Sequence, residues 1–199
     1  MTSSLKKHLI LFCSVTIAAG LLGTFLLAYY WPRLVNSEFE KAILDQGFGG
    51  GPVPVNTLYT EPQTLFADPL HTSLPSGSSD LMTRGVNHDT LLAAGWLDLN
   101  KGPLVLSVPD FSGRYYSIQF TDPFDTDFAY VGTRTTGTKA GEYLIVGPGW
   151  QGTVPSGTTE ISSPSNSVLV LGRILVYSDT DVSTAFGLAK QIRLAPLSQ

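Results

Sequence analysis

The chain has 199 residues, and its 12 Lys and Arg against 16 Asp and Glu give a formal net charge of −4. This acidic balance excludes nucleic acid as an expected partner, because phosphate backbones are held by clusters of Lys and Arg. Cys13 is the only cysteine, so the sequence allows neither an intrachain disulfide nor a cysteine-based metal site. Three histidines are too few for a His-rich metal site, and we expect no cofactor.

An uncharged apolar segment begins at Leu9 and ends at Trp31, shortly after two lysines. As an α-helix, residues 9–30 reach roughly 33 Å, which is enough to cross a hydrocarbon core of roughly 30 Å. The segment is longer than the core of a signal peptide and closes on Tyr29, Tyr30 and Trp31, which are typical of a membrane interface. We therefore predict an uncleaved single-span anchor over residues 9–31, in contact with the lipid bilayer.

Charged residues on the two sides of this segment predict its orientation. Lys6 and Lys7 precede it, whereas Arg33 follows it and is succeeded by Glu38 and Glu40. Because basic residues favour the cytoplasmic side, residues 1–8 are expected in the cytoplasm and the rest of the chain outside it. In a Gram-negative bacterium the anchor would lie in the inner membrane and the domain in the periplasm.

Residues 32–85 are predicted to form a juxtamembrane helix and a loop-rich linker. Asn36 or Ser37 can cap a short helix over residues 38–46, and Gly47 would stop it. The glycine-rich stretch 47–52 lacks the Lys-Ser/Thr pair and the following helix of a phosphate-binding loop, which favours a flexible linker. Residues 86–199 are then the β-rich extracytoplasmic domain.

Short apolar segments separated by Gly, Pro and Asp turns predict an all-β domain. The predicted strands cover residues 91–99, 103–108, 114–122, 128–131, 142–147, 158–162 and 167–177. The first two are separated by Asn100, Lys101 and Gly102, a turn that favours a hairpin between them. Asp179 or Thr180 can cap a short C-terminal helix. The pattern is typical of a jelly-roll or sandwich-like fold, here preceded by an N-terminal transmembrane helix.

Three carboxylates follow one predicted strand closely: Asp122, Asp125 and Asp127. Oxygen-rich clusters of this kind can hold Ca²⁺, but the loop lacks the glycine and the closing glutamate of an EF-hand. Aspartate is also a common turn former, and this structural explanation is the favoured one. These residues are weak candidates for a metal site.

Asn87, His88 and Asp89 precede the first strand of the regular part. His88 could act as a general base oriented by Asp89, although neighbours on an extended chain point to opposite sides. The alternative is that Asn87 and Asp89 bond nearby backbone and hold the start of the strand. We favour this structural role.

Arg173 lies in the middle of residues 167–177, which are apolar on both faces and predict a central strand. A buried guanidinium needs a partner, because an isolated buried charge is too costly. The possible partners are Asp98, Asp110 and Asp122. Arg173 is predicted either to form a structural ion pair or to form the floor of a ligand pocket. Arg114 and Arg134 are expected at the surface, where two arginines could bind an anionic ligand.

Polar residues at the strand ends support one hypothesis for function, an enzyme or a small-ligand-binding domain. The candidate pocket residues are Asn87, Asp89, Arg114, Asp122, Arg134 and Arg173. The sequence contains no G-x-S-x-G motif and no spacing that joins Ser with His and Asp. No residue is therefore assigned a catalytic role.

A series of short motifs in residues 87–197 resembles one bacterial family. The motifs are Asn87-x-Asp89-Thr90-Leu91, Gly95-Trp96-Leu97-Asp98-Leu99, Gly102-Pro103, Pro109-Asp110, Gly113-Arg114-Tyr115-Tyr116, Gln119, Val131-Gly132-Thr133-Arg134-Thr135-Thr136-Gly137, Gly147-Pro148-Gly149-Trp150-Gln151-Gly152, Ser163-Pro164, Gly172-Arg173 and Leu194-Ala195-Pro196-Leu197. In this order they resemble the family called domain of unknown function 1254. Members commonly read Asn-Arg-Asp-Thr-Leu-Tyr at the first motif, whereas His88 and Leu92 replace the Arg and the Tyr here.

The resemblance implies an all-β, jelly-roll-like fold but no agreed activity. In longer members a second β domain follows, of the family of unknown function 1214, and this chain stops before it. The resemblance therefore suggests a split version whose partner is a separate, membrane-anchored companion β-domain protein. Our leading hypothesis is a non-catalytic envelope domain that docks this companion.

Overall fold

A long helix, nine strands and a short helix make up the part of the chain that the structure, a computed structural model, describes: residues 3–46, 52–60, 87 and 89–197. The helices are α1 (Ser3–Gln46) and α2 (Val182–Ala189). The strands are β1 (Tyr59–Thr60), β2 (Thr90–Asp98), β3 (Leu104–Val108), β4 (Tyr116–Thr121), β5 (Asp127–Gly132), β6 (Gly141–Val146), β7 (Thr158–Ser162), β8 (Ser167–Leu175) and β9 (Arg193–Pro196). Most of the predicted linker, residues 47–51 and 61–86, lies outside the described residues, as does His88.

The strands form two sheets packed around one core. The five-stranded sheet has the order β1-β2-β8-β4-β5, and the four-stranded sheet has the order β7-β6-β3-β9. Neighbouring strands are antiparallel, except that β6 and β7 are parallel. The predicted all-β domain with an apolar N-terminal helix and a short C-terminal helix is confirmed, while the jelly-roll topology stays a prediction.

The core lies between the sheets and follows the period-two alternation of the strands. Ile118 and Phe120 of β4 face Leu106 of β3 and Ile145 of β6, and all four are at most 2% exposed. The apolar face of α2 closes one side of the core through Val182, Ala185 and Ala189. β8 lies between β2 and β4, so its prediction as a central strand is confirmed. The strand β9, which the sequence did not predict, completes the four-stranded sheet beside β3.

The predicted hairpin between the first two strands is wrong. β2 and β3 belong to different sheets, because a 3-10 turn at Leu99–Lys101 carries the chain from one sheet to the other. The Asp98 carboxylate accepts the amide of Asn100 at 3.1 Å, and the Leu99 amide donates to the Asn166 carbonyl at 2.7 Å. β2 pairs instead with the equally long β8 over all nine residues. A long partner satisfies more backbone groups than the five-residue β3 could.

α1 runs without a break from the apolar segment to the β domain. It is long and apolar enough to cross a membrane, with a mean hydropathy of 2.3 in its most apolar window, none of which is buried. Pro32 lies inside the helix, where its ring removes one intrahelical hydrogen bond without ending the helix. The predicted juxtamembrane helix is therefore the last part of α1. Ser37 is no cap, since its hydroxyl donates to the Leu34 carbonyl at 2.9 Å.

The last turns of α1 cover part of the outer face of the five-stranded sheet. Phe39 and Leu44 pack against Ala94 and Trp96, two residues that are at most 1% exposed. The Trp96 indole also donates to the Ser167 hydroxyl at 2.7 Å, which satisfies its buried N–H. The C-terminal part of α1 thus belongs to the fold of the domain.

The five-stranded sheet has two ends, which we call lower and upper. The lower end is the turn of residues 122–126 between β4 and β5, which contacts α1: the Arg33 guanidinium lies 5.1 Å from the centroid of the Phe124 ring. The upper end is formed by Leu175, where β8 ends, and Gly132, where β5 ends. The ends are separated by the length of β4, about 17 Å at roughly 3.4 Å per residue.

Candidate functional site

The upper end holds one buried ion pair. Arg114 precedes β4 and Asp181 precedes α2, and their side chains form two parallel hydrogen bonds, at 2.5 Å and 2.7 Å. Arg114 Nη1 also donates to the Leu175 carbonyl at 2.6 Å, and the Tyr177 amide donates to Asp181 Oδ2 at 2.9 Å. A bidentate pair is a strong and directional contact. It fastens the start of β4, the end of β8 and the start of α2 together.

Electrostatics at this pair follow from its geometry. The hydrogen bond from Arg114 lowers the pKa of the Asp181 carboxyl, and the same bond raises the pKa of Arg114.

The prediction of Arg114 as a surface residue is wrong, since Arg114 is 8% exposed. Asp181 was missed because the sequence suggested only a helix cap nearby. Its carboxylate makes no cap bond, and α2 begins at Val182 after a 3-10 turn.

Arg173 is not the buried, paired arginine that the sequence predicted. β8 alternates between buried and half-buried residues, and Arg173 is one of the half-buried ones on the outer face. Its neighbours in register are Leu92 and Ser117. Within the residues that the structure describes, neither Asp98, Asp110 nor Asp122 forms an ion pair with it.

Arg134 follows β5 and borders a small cavity at the upper end. The cavity has a volume of about 300 Å³ and is lined by Tyr115, Tyr116, Ser117, Tyr130, Gly132, Arg134 and Thr135. The Arg134 guanidinium lies 5.8 Å from the centroid of the Tyr115 ring, and no carboxylate of the described residues pairs with it. The predicted exposure of Arg134 is confirmed.

Arg173 of β8 and Arg134, which follows β5, lie on the two sides of the first part of β4. Ser117 is opposite Arg173 on one side and opposite Gly132 on the other. Neighbouring strands are about 4.8 Å apart, so Gly132 lies about 10 Å from Arg173, and Arg134 follows two residues later. A Cβ atom at Gly132 would lie 2.5 Å from the Tyr116 carbonyl oxygen, so only glycine fits there.

Asn87 and Asp89 lie at the upper end, where β2 begins. The Asn87 side chain accepts from the Thr90 hydroxyl at 2.7 Å and donates to the Thr90 carbonyl at 2.6 Å, which supports the structural role that we favoured. Asp89 is exposed, and its backbone carbonyl accepts from the Val176 amide at 2.8 Å. His88 lies outside the described residues, so its role as a general base stays a prediction.

The aspartates of residues 122–127 lie at the lower end, away from the other candidates. Asp122 accepts the amides of Phe124 and Thr126 at 2.8 Å and 3.0 Å. Asp127 accepts from Gln119 at 2.7 Å, from Thr121 at 2.8 Å and from the Tyr130 hydroxyl at 2.5 Å, a bond that raises the pKa of Tyr130. Asp125 is exposed and has a φ of 61°. No group of three His, Cys, Asp or Glu that could hold a metal ion occurs among the described residues.

Five of the six candidate pocket residues thus share the upper end, and Asp122 does not. The side chains that complete the cavity, Tyr115, Ser117 and Tyr130, were not predicted as site residues. Ser117 of β4 and Tyr115, which directly precedes that strand, were recognisable as solvent-side residues from the alternation along the predicted strand 114–122. The proximity of Tyr130 depends on the pairing of β4 with β5, which spacing alone does not give.

Similarity to one solved structure, that of VPA0106, supports this fold. The chain is similar to the VPA0106 protein from Vibrio parahaemolyticus, at 27% identity and a TM-score of 0.62, with 86% of this chain covered. The match covers 37% of VPA0106, so this chain spans well under half of that protein's length. An uncharacterized protein from Burkholderia cenocepacia is similar at 12% identity and a TM-score of 0.41, over 70% of this chain and 34% of the other. No curated protein matches.

The family assignment rests on the sequence match. Residues 68–196, more than half of the chain, match the model of a family described only as a protein of unknown function, DUF1254. The match includes the upper-end residues Arg114, Arg134 and Arg173 and all strands from β2 to β9. The chain therefore belongs to the DUF1254 family of proteins of unknown function.

Proposed function

We propose that the protein is a β domain tethered to a membrane by one helix, with residues 9–31 in the bilayer. Residues 1–8 would be cytoplasmic and the β domain periplasmic, because Lys6 and Lys7 stand on the N-terminal side of the apolar segment. The observation that carries the proposal is the continuity of α1, which joins this segment to Phe39 and Leu44 on the sheet. Such a tether holds the domain in a defined orientation at the bilayer surface.

Two charges in the middle of the apolar segment test the anchor. Gly20→Asp together with Gly23→Asp introduces carboxylates that each cost about 2.5–3.5 kcal/mol at the centre of a membrane helix. We expect the wild type to stay in the membrane fraction during carbonate washing and this variant to be released. Ser183→Asp together with Thr184→Asp, on the exposed side of α2, is the matched control and should be retained. Release of the wild type would refute the anchor.

The tethered domain is further proposed to dock a companion β-domain protein of the envelope. The length of VPA0106 supports this proposal, because the matched part is 37% of that chain and is accompanied there by further residues. On this protein, the docking edge would be β9, which is the last strand of the four-stranded sheet. An edge strand presents backbone N–H and C=O groups that can pair with a strand of another chain.

Photocrosslinking from β9 tests this docking. A photoreactive phenylalanine at Arg193, which is exposed, should give one discrete adduct with a second β-rich envelope protein in intact membranes. The same group at the exposed Ser183 on α2 serves as the control and should give none. Recovery of only uncrosslinked monomer from both positions would count against a companion.

Binding of a small anionic ligand at the upper end is a second candidate function. It is favoured by the cavity of about 300 Å³ and by the two nearby arginines, Arg134 and Arg173, that have no carboxylate partner among the described residues. Guanidinium groups bind carboxylates and phosphates through paired hydrogen bonds. The rings of Tyr115 and Tyr130 would form the apolar walls of such a site.

Titration with simple anions tests this second candidate. Inorganic phosphate and succinate are expected to raise the melting temperature of the wild type but not that of Arg134→Ala or Arg173→Ala. Arg193→Ala changes an exposed arginine on the other sheet and should respond as the wild type does. An equal response of all four proteins would show that the anions act without this site.

A further inference from the structure

The turn at the lower end carries an exposed phenylalanine in a rigid setting. Phe124 is 48% exposed, although phenylalanine is a large apolar residue that is usually buried. The Asp122 carboxylate accepts the amides of Phe124 and Thr126, and the Asp125 amide donates to the Asp122 carbonyl at 3.0 Å. These bonds hold the turn in one shape, so the ring is presented outward with little freedom of the backbone to withdraw it.

This phenylalanine lies at the level where α1 would leave the bilayer. The Arg33 guanidinium is 5.1 Å from the Phe124 ring centroid and 4.7 Å from the Tyr29 ring centroid, so one cation lies near both rings. Tyr29, with Tyr30 and Trp31, forms the aromatic end of the apolar segment, and such residues sit among lipid headgroups. Because both ring centroids lie within 5.1 Å of one guanidinium, Phe124 is close to the aromatic end of the apolar segment.

We infer that Phe124 inserts into the headgroup region of the bilayer beside α1, as a second point of contact between the domain and lipid. The inference rests on the proposed anchor and goes beyond it, because it states which end of the domain touches the membrane. The turn carries the carboxylates of Asp122 and Asp125 against one neighbouring guanidinium, Arg33, so its net charge is negative and zwitterionic lipid suits it better than anionic lipid. With the lower end in the headgroups, the upper end with Arg134 and Arg173 faces away from the membrane.

Spin labels test this inference on the full chain in phosphatidylcholine vesicles. Cys13 is the only cysteine, so the native protein carries one label inside the apolar segment, and Cys13→Ser provides a background for others. Phe124→Cys in that background reports on the turn, and Ser178→Cys, an exposed position at the upper end, is the matched control. Collisions with oxygen, which concentrates in lipid, and with a water-soluble nickel complex give the depth of each label.

Labels at the three positions give different results for a failure of the Phe124 insertion and for a failure of the anchor. We expect oxygen to dominate at Cys13, both reagents to be weak to intermediate at position 124, and the nickel complex to dominate at position 178. If position 124 resembles position 178 while Cys13 is in lipid, the insertion is refuted and the anchor stands. If Cys13 itself is reached by the nickel complex, the anchor fails and the inference fails with it. Melting temperatures equal to that of the wild type confirm that both labelled variants are folded.

Discussion

The two ends of the five-stranded sheet treat their charged residues differently. At the lower end, Asp122 and Asp127 accept hydrogen bonds from two backbone amides and three side chains. At the upper end, Arg114 forms an ion pair with Asp181, but Arg134 and Arg173 have no carboxylate partner among the described residues. Charged groups whose bonding capacity is filled internally hold the chain in shape. Groups that keep this capacity are available to a ligand, and we therefore expect a ligand to bind at the upper end.

Breaking the Arg114–Asp181 pair should have the largest effect. Arg114→Ala leaves a poorly solvated carboxylate and removes the bond to the Leu175 carbonyl, and we expect a loss of about 3 kcal/mol of unfolding free energy. Urea denaturation of the full chain in detergent gives this value. Arg134→Ala is the control, since it removes the same kind of side chain at the same end of the sheet. Equal stability of the two variants would contradict the structural role of Arg114.

The same pair should make stability depend on acid. The folded-state pKa of Asp181 is lowered from its ordinary 3.8, so the unfolded chain takes up this proton first as the pH falls. The contribution of the pair is complete above about pH 4 and is lost progressively below it. Melting temperatures of wild type and Asp181→Asn, measured between pH 6 and pH 3, should therefore converge as the pH falls. A constant difference across that range would exclude the linkage.

The turn at the lower end should show a smaller dependence on its carboxylate. Asp122→Ala removes the acceptor of two backbone amides, and a cost of about 1–2 kcal/mol is expected from the lost hydrogen bonds. Asp89→Ala, at an exposed position of the upper end, should leave the urea midpoint unchanged. A similar loss in both would mean that Asp122 has no special role in the turn.

The smallest effects are expected from charges that are exposed or unpaired. Lys139→Ala breaks a contact of 3.0 Å with Asp110, but such exposed pairs add little to stability. We expect no measurable shift of the urea midpoint for this variant, nor for Arg134→Ala or Arg173→Ala. A clear destabilisation by Arg173→Ala would instead identify Arg173 as structural and would remove it from the candidate ligand site.

The sequence predicted local features well and long-range partners poorly. The turn role of Asp122 and the contacts of Asn87 follow from residues within four positions, and spacing carries that information. The roles of Arg114 and Arg173 were exchanged, because the partner of Arg114 lies 67 residues away. Whether Arg173 faces the core depends on the alternation of β8 between two neighbouring strands. An apolar run alone does not reveal which of its faces is covered.

Hydrogen exchange in α1 tests the central claim most directly, namely that the anchor and the domain form one continuous unit. The measurement concerns the amides of residues 34–45 in the full chain, reconstituted in a bilayer. If this stretch continues the helix and packs on Ala94 and Trp96, its amides should exchange orders of magnitude more slowly than those of an unstructured peptide. Exchange at the rate of an unstructured peptide, with residues 10–28 still protected, would show a flexible stalk and contradict the account.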